Sequence, residues 1–102
     1  MKHLSAISIS SIAFFLLGVA YFKAQSFEIA EEDMNNAITL GIEGRYPQAR
    51  LMLANLCIQQ KRWQDAIDHL DIYLRENPYR SDRGKIKDMR KEIRENLKPA
   101  EK

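Results

Sequence analysis

Apolar residues along this chain fall mostly at spacings of three and four, the stripe of amphipathic helices rather than the alternation of strands. Phe27, Ala30, Met34, Ala37 and Ile38 form one stripe, with Glu28, Glu31, Glu32 and Asp33 early in the helix where carboxylates suit its positive end. Gly41 and Gly44 bracket a break before Pro47, which can open a new helix because its missing N–H is not needed there. That helix is predicted from Pro47 to about Gln60, with Leu51, Leu53, Ala54, Cys57 and Ile58 as its apolar positions. Gln59, Gln60, Lys61 and Arg62 make a polar turn, and Trp63 opens a helix whose stripe is Ala66, Ile67, Leu70, Tyr73 and Leu74. Asn77 and Pro78 end it. Ser81 or Asp82 is expected to cap a last helix, where Ile86, Met89, Ile93 and Leu97 form a narrow seam and the other faces are charged. Lys98 to Lys102 is read as a frayed tail.

The first 24 residues admit two readings. From Leu4 to Phe22 there is no charge, and Lys2 and His3 precede the run, as in a secretory signal or a membrane anchor. However, four serines (Ser5, Ser8, Ser10, Ser11) dilute its first half, so the strongly apolar part is only Ile12 to Phe22. That length suits a buried helix better than a bilayer span, which needs about 20 residues. Cleavage signals are also poor: Gly18 and Ala20 flank one acceptable site, and Ala24 has Phe22 two residues before it.

A third observation favours the packed helix. The pattern Phe14, Leu17, Gly18, Tyr21, Phe27, Ala30, Met34, Ala37 returns thirty-six residues later as Arg50, Leu53, Ala54, Cys57, Trp63, Ala66, Leu70, Tyr73. Self-similarity at such a period marks stacked helix pairs. These residues resemble the tetratricopeptide repeat, a helix-turn-helix unit of about 34 residues. The resemblance covers residues 11–80. Its small residue at the crossing of the two helices corresponds to Gly18 and Ala54, its alanine for close approach to Ala30 and Ala66, and its terminating proline to Pro78. Sixteen residues separate Phe14 from Ala30 and Arg50 from Ala66, so the two extra residues of the period lie in the Gly41 to Tyr46 linker, where insertions are tolerated. Departures are Arg50 for a bulky aromatic, Cys57 for a tyrosine and Tyr73 for a small residue.

The fold expected is therefore all-α, a solenoid fragment of two tetratricopeptide-like helix pairs with an amphipathic capping helix. Residues 1–10 are a lead or signal-like segment, 11–46 the first repeat, 47–80 the second, 81–97 the cap and 98–102 the tail. Structural repeat positions are Phe14, Leu17, Gly18, Tyr21, Ala30, Leu53, Ala54, Trp63, Ala66, Leu70 and Pro78. In that family the first helices of successive units line a concave groove that takes peptides. The resemblance places Ile12, Phe15, Val19 and Phe22, then Gln48, Leu51, Asn55 and Ile58, on that face, with Gln59 and Asn55 able to hydrogen-bond a peptide backbone. The basic cluster with which some members hold a C-terminal carboxylate is missing apart from Asn55. Two units are fewer than the roughly three usually needed for independent stability, so self-association, docking on a larger protein or membership of a longer array is expected.

Charge and chemistry change this picture little. The 102 residues carry a formal charge of +2. Residues 79–102 hold nine Lys or Arg against five Asp or Glu, which reads as a solvated helix face. With acids interleaved and only Tyr79 for stacking, no nucleic-acid partner is expected. The single Cys57 excludes an internal disulfide and lies on an apolar stripe, as a packing residue does. Asp65, Asp68, His69 and Asp71 share one helix without the convergence a metal needs. There is no phosphate loop, zinc spacing or nucleophile elbow. The expectation is a non-enzymatic protein-interaction module without cofactor or metal. Its partner is another protein or peptide segment, or a second copy. A cytoplasmic place is favoured, and the alternative is an exported or inner-membrane protein anchored through residues 4–22.

Overall fold

A computed structural model describes residues 2–41 and 46–97, with side chains from residue 9 onward. Residues 1–8 of the expected lead, residues 42–45 of the linker and the expected tail lie wholly or in their side chains outside these. The described residues form five helices: α1 (Lys2–Lys23), α2 (Phe27–Leu40), α3 (Pro47–Gln59), α4 (Trp63–Glu76) and α5 (Arg83–Glu95). No strand occurs among the described residues. Each helix packs on its neighbour in sequence, and α1 also reaches α3. The result is elongated, 60 × 32 × 16 Å.

The thirty-six-residue period is visible in the backbone itself. α1 and α3 each end in a left-handed residue, Gln25 at φ 63° and Lys61 at φ 60°. In both turns the next amide reaches back to close the helix: Ser26 N–H donates to Tyr21 O at 2.9 Å, and Arg62 N–H to Cys57 O at 2.8 Å. Gln25 N–H donates to Phe22 O at 2.9 Å and Lys61 N–H to Ile58 O at 3.0 Å. This is the Schellman arrangement, which satisfies carbonyls that a helix end would leave without donors. The residues entering the second helices match as closely, Ser26 at φ −89°, ψ 74° and Arg62 at φ −90°, ψ 75°. Neither caps with its side chain.

Two apolar clusters make the core, one on each side of α3. Ala30, Met34 and Ala37 of α2 meet Ala49, Leu53 and Leu56 of α3, with Phe14, Phe15, Val19 and Phe22 of α1 packed around them. On the other side Ala54 and Cys57 join Ala66, Ile67, Leu70, Tyr73 and Leu74 of α4 and Ile86 and Ile93 of α5. A helix gripped from two sides needs apolar residues around most of its girth. For that reason α3 buries Ala49 and Leu56 outside the stripe its spacing predicted.

The start of α5 departs from expectation. Asp82 is its N-cap residue, but the backbone there (φ −90°, ψ 7°) is not extended and the carboxylate caps no amide. Instead Asp82 Oδ2 accepts a hydrogen bond from the Tyr73 hydroxyl at 2.6 Å.

Candidate functional site

α5 is held on α4 by more than its apolar seam. Beyond the Tyr73 bond, the Arg83 guanidinium donates to the carbonyls of Leu74 and Asn77, filling acceptors that the end of α4 leaves open. Arg90 pairs with Asp71 at 2.6 Å. So placed, α5 stands across from α3 and leaves a groove between them of about 300 Å³, lined by Leu51, Asn55, Asp82, Lys85, Ile86 and Met89. Its floor is apolar and its rim carries an amide, a carboxylate and an ammonium. Asp82 Oδ1 is buried without a hydrogen bond, and the nearest cation, Arg80 Nε, is 3.8 Å away. An arrangement of this kind can hold an apolar side chain and orient the backbone that carries it.

Of the residues placed on a binding face by the resemblance, Leu51 and Asn55 line this groove. Ile58 is partly buried against the α3–α4–α5 core, while Gln48 and Gln59 are exposed at opposite ends of α3. The α1 set is mostly absorbed by packing. Phe15 stacks on Tyr46 with centroids 5.4 Å apart, Phe22 tilts against Phe27 at 5.8 Å, and Val19 is half-buried beside them. Only Ile12 of that set is exposed. The groove's other wall, Lys85, Ile86 and Met89, was not assigned to the site from sequence. The signal was present, since the seam on α5 had to face something.

The repeat positions divide by depth. Gly18, Ala30, Leu53, Ala54, Ala66 and Leu70 are buried, Phe14 and Trp63 partly so, and Pro78 is exposed. Leu17 and Tyr21 are 48% and 37% exposed, whereas Leu53 and Cys57, their counterparts, are fully buried. α2 packs over that side of α3, and no described helix covers it on α1.

The remaining polar clusters are structural ties. Arg62 bridges Glu31 of α2 at 2.9 Å and Asp65 of α4 at 2.9 Å, fastening one helix pair to the next. Those two carboxylates raise its pKa further. Arg50 meets His69 Nδ1 at 3.2 Å between α3 and α4. Burial lowers the pKa of both, and the Arg50 charge lowers that of His69 again. Burial pushes the Cys57 thiol up to about 11, so it stays protonated near neutral pH and packs rather than attacks. Among the described residues, no three His, Cys, Asp or Glu are grouped to hold a metal, and no helix is long and apolar enough to cross a membrane. Comparison with family models, curated proteins and solved structures finds no match for this chain.

Proposed function

We propose that this chain is a non-catalytic protein-binding module, a short tetratricopeptide-like solenoid that holds a peptide segment of a partner between α3 and α5. The observation that carries this reading is the groove of about 300 Å³ in which Leu51 and Asn55 face Ile86 and Met89. Support for the solenoid comes from the two turns of equal geometry thirty-six residues apart and from packing that runs between sequence neighbours. A peptide suited to the site carries an apolar side chain for the Leu51–Met89 floor and a backbone amide within reach of Asn55.

Selection from a displayed peptide library on the immobilised full chain tests it. Enriched peptides should share an apolar anchor and lose about tenfold or more in affinity on Met89→Glu. Gln64→Ala, on the exposed face of α4, should leave them bound. A library that yields no enrichment, or peptides indifferent to Met89→Glu, removes the groove as the site.

A second reading is favoured by one observation. α1 carries no charge from Leu4 to Phe22 and exposes Ile9, Ile12, Leu16 and Leu17, as an anchor or signal segment would. In that case the chain is an exported or membrane-anchored protein with one remaining helix pair and its cap. Fractionation of cells expressing the intact chain separates the two readings.

A further inference from the structure

The charge left open on the groove between α3 and α5 is positive. Spacings of three and four put Asp82, Lys85 and Met89 on one side of α5, across from Leu51 and Asn55, which stand about one turn apart on α3. The carboxylate of Asp82 is already engaged within the chain. Its Oδ2 takes the Tyr73 hydroxyl, and its Oδ1 is buried with Arg80 Nε 3.8 Å away. The α3 wall brings no charge. Lys85 is exposed and makes no hydrogen bond or ion pair with any described residue.

What lies beside that ammonium is apolar. Ile86 is buried, and Leu51 and Met89 are partly buried against the core of α3, α4 and α5. A carboxylate lowered onto this floor would lose its water and meet the charge of Asp82 at the rim. An aliphatic side chain would fill the floor and leave the ammonium without a partner. An aromatic ring answers both, since it buries a large apolar area and its negative face attracts a cation within about 6 Å of its centre.

We propose that the groove selects a partner segment anchored by an aromatic side chain, its ring against Met89 and its face toward the Lys85 ammonium, which rests on the reading of this groove as a peptide site.

The floor and the size agree with a ring. The thioether of Met89 makes a favourable contact with an aromatic edge that it does not make with an aliphatic chain. A closed apolar cavity of about 150 Å³ takes a benzene ring. A groove of about 300 Å³ has room for a ring and the backbone that carries it. Asn55 stands on the opposite wall, where its amide oxygen can accept from an indole N–H or a phenol. Tryptophan, the strongest partner for a cation, is therefore the preferred anchor.

Titration of the full chain, labelled with ¹³C in its methionine methyl groups, is the test. The probes are N-acetyltryptophan amide, N-acetylleucine amide and N-acetylglutamate amide. Of the methionines, Met89 lines the groove, whereas Met34 and Met52 lie in the apolar cluster between α2 and α3 and serve as internal references. The tryptophan probe should move the Met89 methyl signal and leave those of Met34 and Met52 in place. It should bind about two- to fivefold more tightly than the leucine probe, the range for a cation over a ring at an exposed site. Lys85→Met keeps the stem and removes the charge, and should abolish that preference. Lys91→Met, on the outer side of α5, should preserve it.

The inference is overturned if the Met89 signal stays still up to the solubility of the tryptophan probe, or if the leucine or glutamate probe binds as tightly. A preference that survives Lys85→Met overturns it as well. Its failure is distinct from failure of the groove: library peptides that need Met89 but carry aliphatic anchors would keep the peptide site and remove the aromatic selectivity.

Discussion

Gly18 and Met34 pack so closely that a Cβ on the glycine would stand 2.6 Å from Met34 Cε and 3.2 Å from both Cγ and Sδ. Met34 is fully buried, so its end has little space into which to swing. The second helix pair solves the same crossing differently, with Ala54 on α3 and Leu70 on α4, both buried. Glycine with the longer, unbranched methionine and alanine with the shorter leucine are two ways of filling one volume.

Gly18→Ala should therefore be destabilising by about 1 kcal/mol, the overpacking outweighing the gain in helix propensity. Adding Met34→Leu should restore stability to the level of the unaltered chain or above it, because the pair then copies Ala54 and Leu70. Denaturant unfolding of both single variants and the double variant gives the coupling directly. Strictly additive effects would show that the two residues do not share the crossing.

The two turns give a stabilising prediction. Gln25 and Lys61 hold the left-handed conformation, which costs a residue with a Cβ about 1 kcal/mol relative to glycine. Each change to glycine, at 25 or 61, should raise stability by something under about 1 kcal/mol, since glycine also loses more freedom on folding. Thermal unfolding should show the midpoint rising by a few degrees in each, and further in the double variant. A fall would mean that the side chains of Gln25 and Lys61 contribute more than the backbone strain costs.

These turns also show what the sequence discloses and what it conceals. The period is written in side chains, because burial selects residue type at Gly18, Ala30 and Met34 and again at Ala54, Ala66 and Leu70. α2 and α4 begin within a residue of where their apolar stripes place them, for the same reason. The left-handed residues carried no such mark: a glycine would have announced the turn, whereas Gln and Lys do not. The groove was half legible. Leu51 and Asn55 follow from the periodicity of α3, but the wall opposite depends on how α5 docks. That docking rests on Tyr73, Asp82 and Arg83, which meet from distant positions and have no spacing rule. Leu17 and Leu53 occupy one repeat position yet differ in exposure, because α2 packs over Leu53 and no described helix packs over Leu17.

Positions 33 and 69 are also repeat counterparts, and both hold a titratable group that folding disfavours in its charged form. Burial raises the pKa of Asp33, with Glu32 adding to it, and Asp33 Oδ2 has no hydrogen bond. Burial lowers the pKa of His69, and Arg50 and Arg62 add to that against the opposing pull of Glu31 and Asp65. For the aspartate, the folded chain binds the proton more tightly than the unfolded one. Stability therefore falls as pH rises from about 3.8 through the raised folded value, and stays reduced at neutral pH. For the histidine the unfolded chain binds the proton more tightly, so stability is lost as pH drops below about 6.5. Asp33→Asn should raise stability at pH 7 by about 1 kcal/mol. His69→Gln should flatten the decline between pH 7 and pH 5. Urea midpoints across that range check both, and an unchanged slope in His69→Gln would assign the decline to other groups.

The groove itself depends on one phenol. Tyr73 fills the space under α5 that its counterpart Ala37 leaves to α3, and it is fully buried. Its hydroxyl donates to Asp82 Oδ2 while Asp82 Oδ1 already lacks a partner. Tyr73→Phe keeps the ring and removes the donor, so Oδ2 loses its hydrogen bond and neither carboxylate oxygen has one, at a site that is only partly open to water. The cost should be about 1 kcal/mol, at the low end for an unsatisfied charged group because Asp82 retains some solvent. It should fall mainly on α5, since Ala54, Ala66 and Leu70 are untouched. Hydrogen exchange should accordingly quicken in the amides of Arg83–Glu95 while those of α2 and α3 stay protected. Asp82→Asn in the same background should recover part of the loss, because an uncharged amide tolerates the missing hydroxyl better than a carboxylate does. Peptides that need Met89 should bind Tyr73→Phe more weakly, as Met89 stands on the loosened helix. Faster exchange spread evenly over α2 to α5 would instead mean that the bond supports the whole stack rather than the wall of the groove.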